Sequence, residues 1–191
     1  MKIFIFSIIF SCTGPIEAPP KEGLEQHYHG NGTQKWKGNF KQGYKDGVWT
    51  TWYENGNKES EGLYRKSKKE GHWIFWHANG QKMMEGNYLG EKEDGDWHSW
   101  YESGQKESEI TYSAGKEDGN IKVWFASGQL QLEGANKNGR PEGLTLTWTA
   151  DGQKESEGKY LNGKKEGIWK FWEPDGSVME KLYSQDIRIL R

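Results

Sequence analysis

Glycine recurs at residues 23, 47, 71, 95, 119, 143 and 167, an unvarying spacing of 24 through most of a 191-residue chain. Incidental glycines would drift out of phase, so a strict period identifies one supersecondary unit stacked against copies of itself. Each unit carries several further glycines and no sustained 3.6-residue aromatic spacing, which argues against helix. The unit is therefore built of strands.

Turn chemistry divides the unit in two. Asn31-Gly32, Asn55-Gly56, Asn79-Gly80, Ser103-Gly104, Ser127-Gly128, Asp151-Gly152 and Asp175-Gly176 hold the same two offsets. Such pairs suit a type I′ hairpin turn, with positive φ at both central residues. Gly43, Gly115, Gly139 and Gly163 mark a second turn, where Ser67 and Glu91 stand in two units. Fourteen strands in a meander follow. A two-residue loop at Asn55-Gly56 places Trp49 opposite Gly62, where the ring would cover bare backbone; Trp73 with Gly86 repeats the couple. Trp97 faces Ile110 and Ile121 faces Gly134, so the couple erodes in the middle units. On that face Trp49, Thr51 and Tyr53 alternate with Gly62 and Tyr64, and the other face takes Trp52, Glu59 and Glu61. A bulge would bring both aromatic rows to one side.

The end units are irregular. Glu25 stands in place of the first tryptophan, and Glu180 and Tyr183 arrive one residue early. Atypical end units cap a stack whose strand edges would otherwise lie open.

The chain is only 32% hydrophobic and 28% charged, but it holds eleven Trp, nine Tyr and seven Phe. Each buried aromatic removes roughly 150–250 Å² from water, so a thin aromatic core suffices. With 26 basic against 28 acidic side chains, finely mixed, no electrostatic footprint for nucleic acid is visible.

The pattern Gly-x-Trp-x-x-Trp-Tyr-x-Asn-Gly-x-x-x-x-Glu-Gly-x-Tyr resembles the MORN repeat variant of bacterial proteins known as YwqK-type antitoxins, over residues 23 to about 183. Units five and six depart from it: Ile121 and Thr145 replace the first Trp, and Asn136 replaces the Tyr. The resemblance implies an all-β fold, an elongated single-layer twisted antiparallel sheet of about seven tandem hairpins. It also implies a binding or scaffold protein, and the antitoxin name implies a toxin as protein partner.

The N-terminus reads as an address. After Met1-Lys2 comes the apolar run Ile3 to Ser11, then Cys12, the chain's one cysteine. The run is too short to span a bilayer and has the parts of a secretory signal. Ile9-Phe10-Ser11-Cys12 resembles a bacterial lipobox, which implies removal of residues 1–11 and lipid on Cys12. Residues 12–22, with three prolines, read as an extended tether, and residues 23–191 as the repeats. The expected location is a bacterial cell envelope, on the periplasmic or extracellular side of a membrane.

Catalytic sets are not evident. His27 and His29 lie two apart on a strand, but no nearby Asp or Cys completes a metal site. Glu61, Glu85, Glu109, Glu133 and Glu157 recur in near-identical settings, which suits a stripe balancing lysines rather than an acid–base pair, whose members need different environments. No nucleophile or phosphate-loop motif occurs. The expectation is a non-enzymatic, membrane-anchored module without cofactor or metal. Its candidate surface is the row Trp52, Trp76, Trp100, Trp124, Trp148 and Trp172, with Trp148, between Thr147 and Thr149, the best-placed ring. Such a row could hold a protein partner's apolar side chains; carbohydrate or cell-wall glycan is the alternative ligand. Any privileged site is expected where the repeat breaks, from Ile121 to Trp148, or at the ends.

Overall fold

The two kinds of turn trade conformations relative to expectation. In the computed structural model, which describes residues 21–189, Gly56 N–H donates to the Tyr53 carbonyl (3.0 Å) and Tyr53 N–H to the Asn57 carbonyl (2.9 Å). Within the loop Glu54-Asn55-Gly56, only Gly56 has positive φ (88°). This is a three-residue loop, a type I turn closed by a left-handed glycine, rather than type I′. The two-residue turns with both residues at positive φ are the second set, such as Gln42 (52°) and Gly43 (79°), flanked by the pair Lys41 and Tyr44. Ser67 and Glu91 adopt the left-handed form in two of these turns. Their side chains compensate: Ser67 Oγ accepts Lys45 N–H at 2.9 Å, and the Glu91 carboxylate accepts Lys69 N–H.

The strands are β1 (Gly23–Tyr28), β2 (Gln34–Lys41), β3 (Tyr44–Trp52), β4 (Lys58–Arg65), β5 (Lys68–Trp76), β6 (Lys82–Leu89), β7 (Lys92–Trp100), β8 (Lys106–Ser113), β9 (Lys116–Trp124), β10 (Leu130–Lys137), β11 (Arg140–Pro141), β12 (Gly143–Trp148), β13 (Lys154–Leu161), β14 (Lys164–Trp172), β15 (Val178–Ser184) and β16 (Ile187–Ile189). They form one open antiparallel sheet in chain order, with β11 paired to β10 alone. Two strands exceed the expected fourteen because an interruption at Glu142, next to Pro141, divides β11 from β12 and because β16 extends the sheet. A proline has no N–H to give the ladder.

Trp49 does pair with Gly62, though for a different reason than a two-residue loop. The longer turn shifts the register by one, pairing Trp52 with Lys58, and a bulge at Glu59 shifts it back, so that Thr51 meets Ser60. The bulge lies on the partner strand, so the tryptophan rows stay on opposite faces and Glu59 alone changes side. Accordingly, Glu107 of the next-but-one unit accepts the Ser99 hydroxyl at 3.0 Å. Between β14 and β15 the pairing runs unshifted from Trp172–Val178 to Gly167–Tyr183. The missing bulge residue is why Glu180 and Tyr183 come early.

The period glycines sit in a second, wider irregularity. Gly62 pairs with Trp73 but Leu63 with Glu70, leaving Gly71 and His72 as surplus, with Gly71 at φ 64°. Left-handed backbone is what the glycine supplies. The carbonyl freed there is taken by an indole: Trp73 Nε1 donates to Leu63 O at 3.2 Å, Trp49 to Asn39 O, Trp97 to Asn87 O and Trp169 to Lys159 O, each at 3.1 Å. In donating, the ring lies flat on the glycine of the preceding strand. A Cβ on Gly62 would stand 2.2 Å from Trp73 Cδ2, and Gly38, Gly86 and Gly158 lie under Trp49, Trp97 and Trp169 in the same way. Gly62 is thus roofed by Trp73, not by Trp49 as expected.

These rings are the core. Trp73 and Trp169 are each 2% exposed, Trp49 3%, Trp97 6% and Tyr88 7%. Edge-on contacts run Trp49–Tyr64–Trp73–Tyr88–Trp97–Tyr112, with centroids 4.9 to 6.4 Å apart, each pair worth about 0.5–1.5 kcal/mol beyond its area. Lys45 lies over Trp49 and Tyr64, and Lys69 over Trp73 and Tyr88, within 5.0 Å. Carboxylates preceding the period glycines pin the next turn: Glu70 accepts Gly90 N–H, Glu142 accepts Asn162 N–H and Glu166 accepts Gln185 N–H, at 2.7 to 3.1 Å.

Burial, then the neighbouring Glu93, pushes the Tyr88 phenol up to about 12, and burial raises Tyr64, Tyr112 and Tyr160 as well. A phenol that holds its proton more tightly when folded stabilises the fold below its unfolded value near 10 and loses that contribution as pH rises through the folded value. Denaturant midpoints are expected to stay level to about pH 10 and to fall between there and 12; a level profile across that window would contradict it.

Candidate functional site

Three periodic devices of the sheet lapse in the same two units. Where β8 meets β9 the glycine–tryptophan couple becomes Ile110 paired with Ile121, a compensated swap. Where β10 meets β12, Gly134 remains but Thr145 replaces the ring, its Oγ1 3.0 Å from where a Cβ on Gly134 would lie. The Ala135 carbonyl, without an indole, accepts Glu142 N–H at 2.9 Å across the break between β11 and β12. Asn136 takes the place of the ladder tyrosine and donates to Glu117. The aromatic contacts therefore stop at Tyr112 and resume at Tyr160, which meets Trp169 at 5.0 Å.

Refilling the ladder tests this. Thr145→Trp has a glycine to lie on and is expected to raise stability by about 1–2 kcal/mol, whereas Ile121→Trp meets Ile110 and is expected to lower it by about 1–3 kcal/mol. Paired chemical denaturation curves measure both.

On the other face, the six predicted tryptophans Trp52, Trp76, Trp100, Trp124, Trp148 and Trp172 are all half-buried. Lysines stand between them: Lys58 over Trp76, Lys82 over Trp100, Lys106 over Trp124 and Lys154 over Trp172, at 4.9 to 5.4 Å. The same lysines pair with the glutamate stripe, Lys58 with Glu61, Lys82 with Glu85 and Lys154 with Glu157 at 2.7 to 2.8 Å, and Lys106 with Glu109. Exposed pairs of this kind contribute little to stability; they hold the lysine stems against the rings. Gln34 and Leu130 occupy the lysine's place before Trp52 and Trp148. Leu130 pairs with Trp124, so Trp124, Leu130 and Trp148 break the alternation with consecutive apolar groups.

A third device lapses too. A side chain at the turn of one unit bonds the tryptophan carbonyl of the next: Tyr53 Oη donates to Trp76 O (2.8 Å), His77 Nε2 to Trp100 O (2.7 Å) and Tyr101 Oη to Trp124 O (2.7 Å). His29 does the same to Trp52 O at 2.8 Å. Phe125 has no donor for Trp148 O. Beside it lies an apolar groove on the ladder face, about 660 Å³, lined by Val123, Phe125, Leu132, Thr147, Trp148 and Thr149.

Sequence reasoning located the break but missed two features, the turn-pinning carboxylates and the carbonyl-bonding residues. Both carry a 24-residue signal: an acid precedes each period glycine, and His29, Tyr53, His77, Tyr101, Phe125 and Thr149 share one offset. Cys12 and residues 1–11 lie outside the described residues. Among the described residues no group of three or more His, Cys, Asp or Glu is placed to hold a metal, and no helix is long and apolar enough to cross a membrane.

The model of the MORN repeat variant matches residues 45–66, 69–89, 93–114 and 165–186. No curated protein matches the chain. The four matched stretches are the pairs β3–β4, β5–β6, β7–β8 and β14–β15, all with the tryptophan of the ladder in place; the units between Ser113 and Lys164, which lose it, are unmatched. The chain thus carries a MORN-repeat-like β region, a non-catalytic scaffold, interrupted where its own ladder is interrupted.

Proposed function

We propose that this chain is a non-enzymatic protein-binding module held at a bacterial cell envelope. In this reading residues 1–11 are a signal, Cys12 carries lipid, residues 12–22 are the tether and residues 23–191 present seven repeats to the partner. The row from Trp52 to Trp172 forms part of the contact surface. One observation carries the reading: the alternating lysine–tryptophan row turns apolar at Trp124, Leu130 and Trp148, and consecutive apolar groups flanked by charge are the usual anatomy of a protein contact. Resemblance to YwqK-type antitoxins points to a toxin as the partner.

Pull-down from the native envelope, wild type against Leu130→Lys, tests the reading. A specific protein enriched by wild type and lost with the added lysine is the expected result; no specific enrichment would count against it. Intact mass of membrane-extracted protein tests the anchor, with loss of residues 1–11 and added acyl mass expected. A glycan reading has its own observation, since Trp52 and Trp148 lack the lysine over their rings. Tryptophan fluorescence unchanged across a panel of glycans and wall fragments would dismiss it.

A further inference from the structure

We propose that the groove beside Phe125, on the ladder face, is a socket for a tyrosine side chain of the partner; the proposal rests on the protein-binding reading above and extends that contact around Trp148, which belongs to the row and also borders the groove. Three features specify the occupant. The groove, about 660 Å³, is about twice the 310 Å³ of the equivalent hollow three units earlier, which is lined by Thr51, Tyr53, Phe75 and Trp73. Its walls are apolar, from Val123, Phe125 and Leu132, and it lies in the gap between Tyr112 and Tyr160 where the sheet's own aromatic contacts lapse. An aromatic ring there meets the kind of neighbours that rings elsewhere in the sheet already have.

The second feature is a carbonyl that lacks the side-chain donor its equivalents have. In the equivalent positions a Tyr or His side chain bonds the next tryptophan's carbonyl at 2.7 to 2.8 Å, and Phe125 cannot. Trp148, the residue whose carbonyl Phe125 cannot bond, borders the groove. The third is a charged acceptor at the rim: Glu155 contributes a carboxylate, beside the Gln131 amide, which both donates and accepts, while the Thr149 hydroxyl proton is shared between Asp151 and the Gln153 carbonyl. A ring carrying one hydroxyl donor satisfies all three, and it is the group that Tyr53 and Tyr101 supply internally.

The test uses N-acetyl-tyrosinamide as probe and the methyl resonances of Val123 and Leu132 in the full chain as readout. Saturable shifts of both methyls are expected at millimolar probe. N-acetyl-phenylalaninamide, the same ring without the donor, is expected to bind about fivefold more weakly, the factor one net hydrogen bond carries. Phe125→Tyr, which returns the bond to the protein as in its neighbours, is expected to weaken the tyrosine probe by about the same factor. Shifts that do not saturate, equal affinity for the two probes, or an unchanged affinity in Phe125→Tyr would each overturn the socket. A failed probe with a partner still captured from the envelope discards the socket and keeps the module; a bound probe with no partner does the reverse.

Discussion

Gly62→Ala is expected to destabilise the sheet by about 3 kcal/mol or more, although it adds a single methyl to an ordinary strand position. Gly62 has no left-handed φ to protect, and alanine would otherwise be neutral there. The cost comes from Trp73, whose Cδ2 and Cε2 lie 2.2 and 2.3 Å from the new Cβ. The ring must lift, giving up its 2% exposure, its bond to Leu63 O and its edge contacts to Tyr64 and Tyr88. Gly134→Ala supplies the control at the equivalent position, where Thr145 Oγ1 stands at 3.0 Å and a side-chain rotation suffices. Its expected cost is under about 1 kcal/mol. Chemical denaturation of both variants measures the contrast, and equal costs would contradict the roofed-glycine account.

Trp169→Ala is expected to cost about 3–5 kcal/mol and to do so locally. Trp169 holds the far side of the break nearly alone: it meets Tyr160 at 5.0 Å and Phe171 at 6.1 Å, carries Lys165 over its face at 4.4 Å and bonds Lys159 O. No aromatic contact among the described residues links this group to Tyr112. Because energies in a repeat array pass between neighbours only, its loss should release β13 to β16 while β3 to β7 stay folded. Near-ultraviolet circular dichroism on heating is expected to show two transitions in this variant. A single transition shifted as a whole would mean the break transmits cooperativity intact.

The period, the meander and the position of the break were legible because each rests on residue types with few alternative uses: glycine at fixed offsets, turn pairs, tryptophan. The turn assignment was not, because Asn-Gly serves both type I′ and a type I turn with a left-handed glycine, and the choice depends on the Glu59 bulge. Two register errors then cancel, so Trp49 still meets Gly62. Which ring roofs which glycine was hidden for another reason. Hairpin pairing is read within a unit, while the Trp73–Gly62 contact forms between units, after the surplus Gly71 and His72. Read between units, Ile110 and Ile121 become a compensating pair instead of two separate erosions. The six-tryptophan row was visible as a row, but its lysine cover comes from side chains 18 residues away in sequence, which no local pattern reveals.

Residue-resolved hydrogen exchange of backbone amides tests most directly the claim that the sheet is two aromatic blocks joined by a weaker segment. Local opening should cost least where packed rings are absent. The account predicts strongest protection in β3 to β7, a second maximum at β14, and the fastest exchange of any interior strands in β10 and β12. Uniform protection from β3 to β14, or a maximum at β10 and β12, would contradict it.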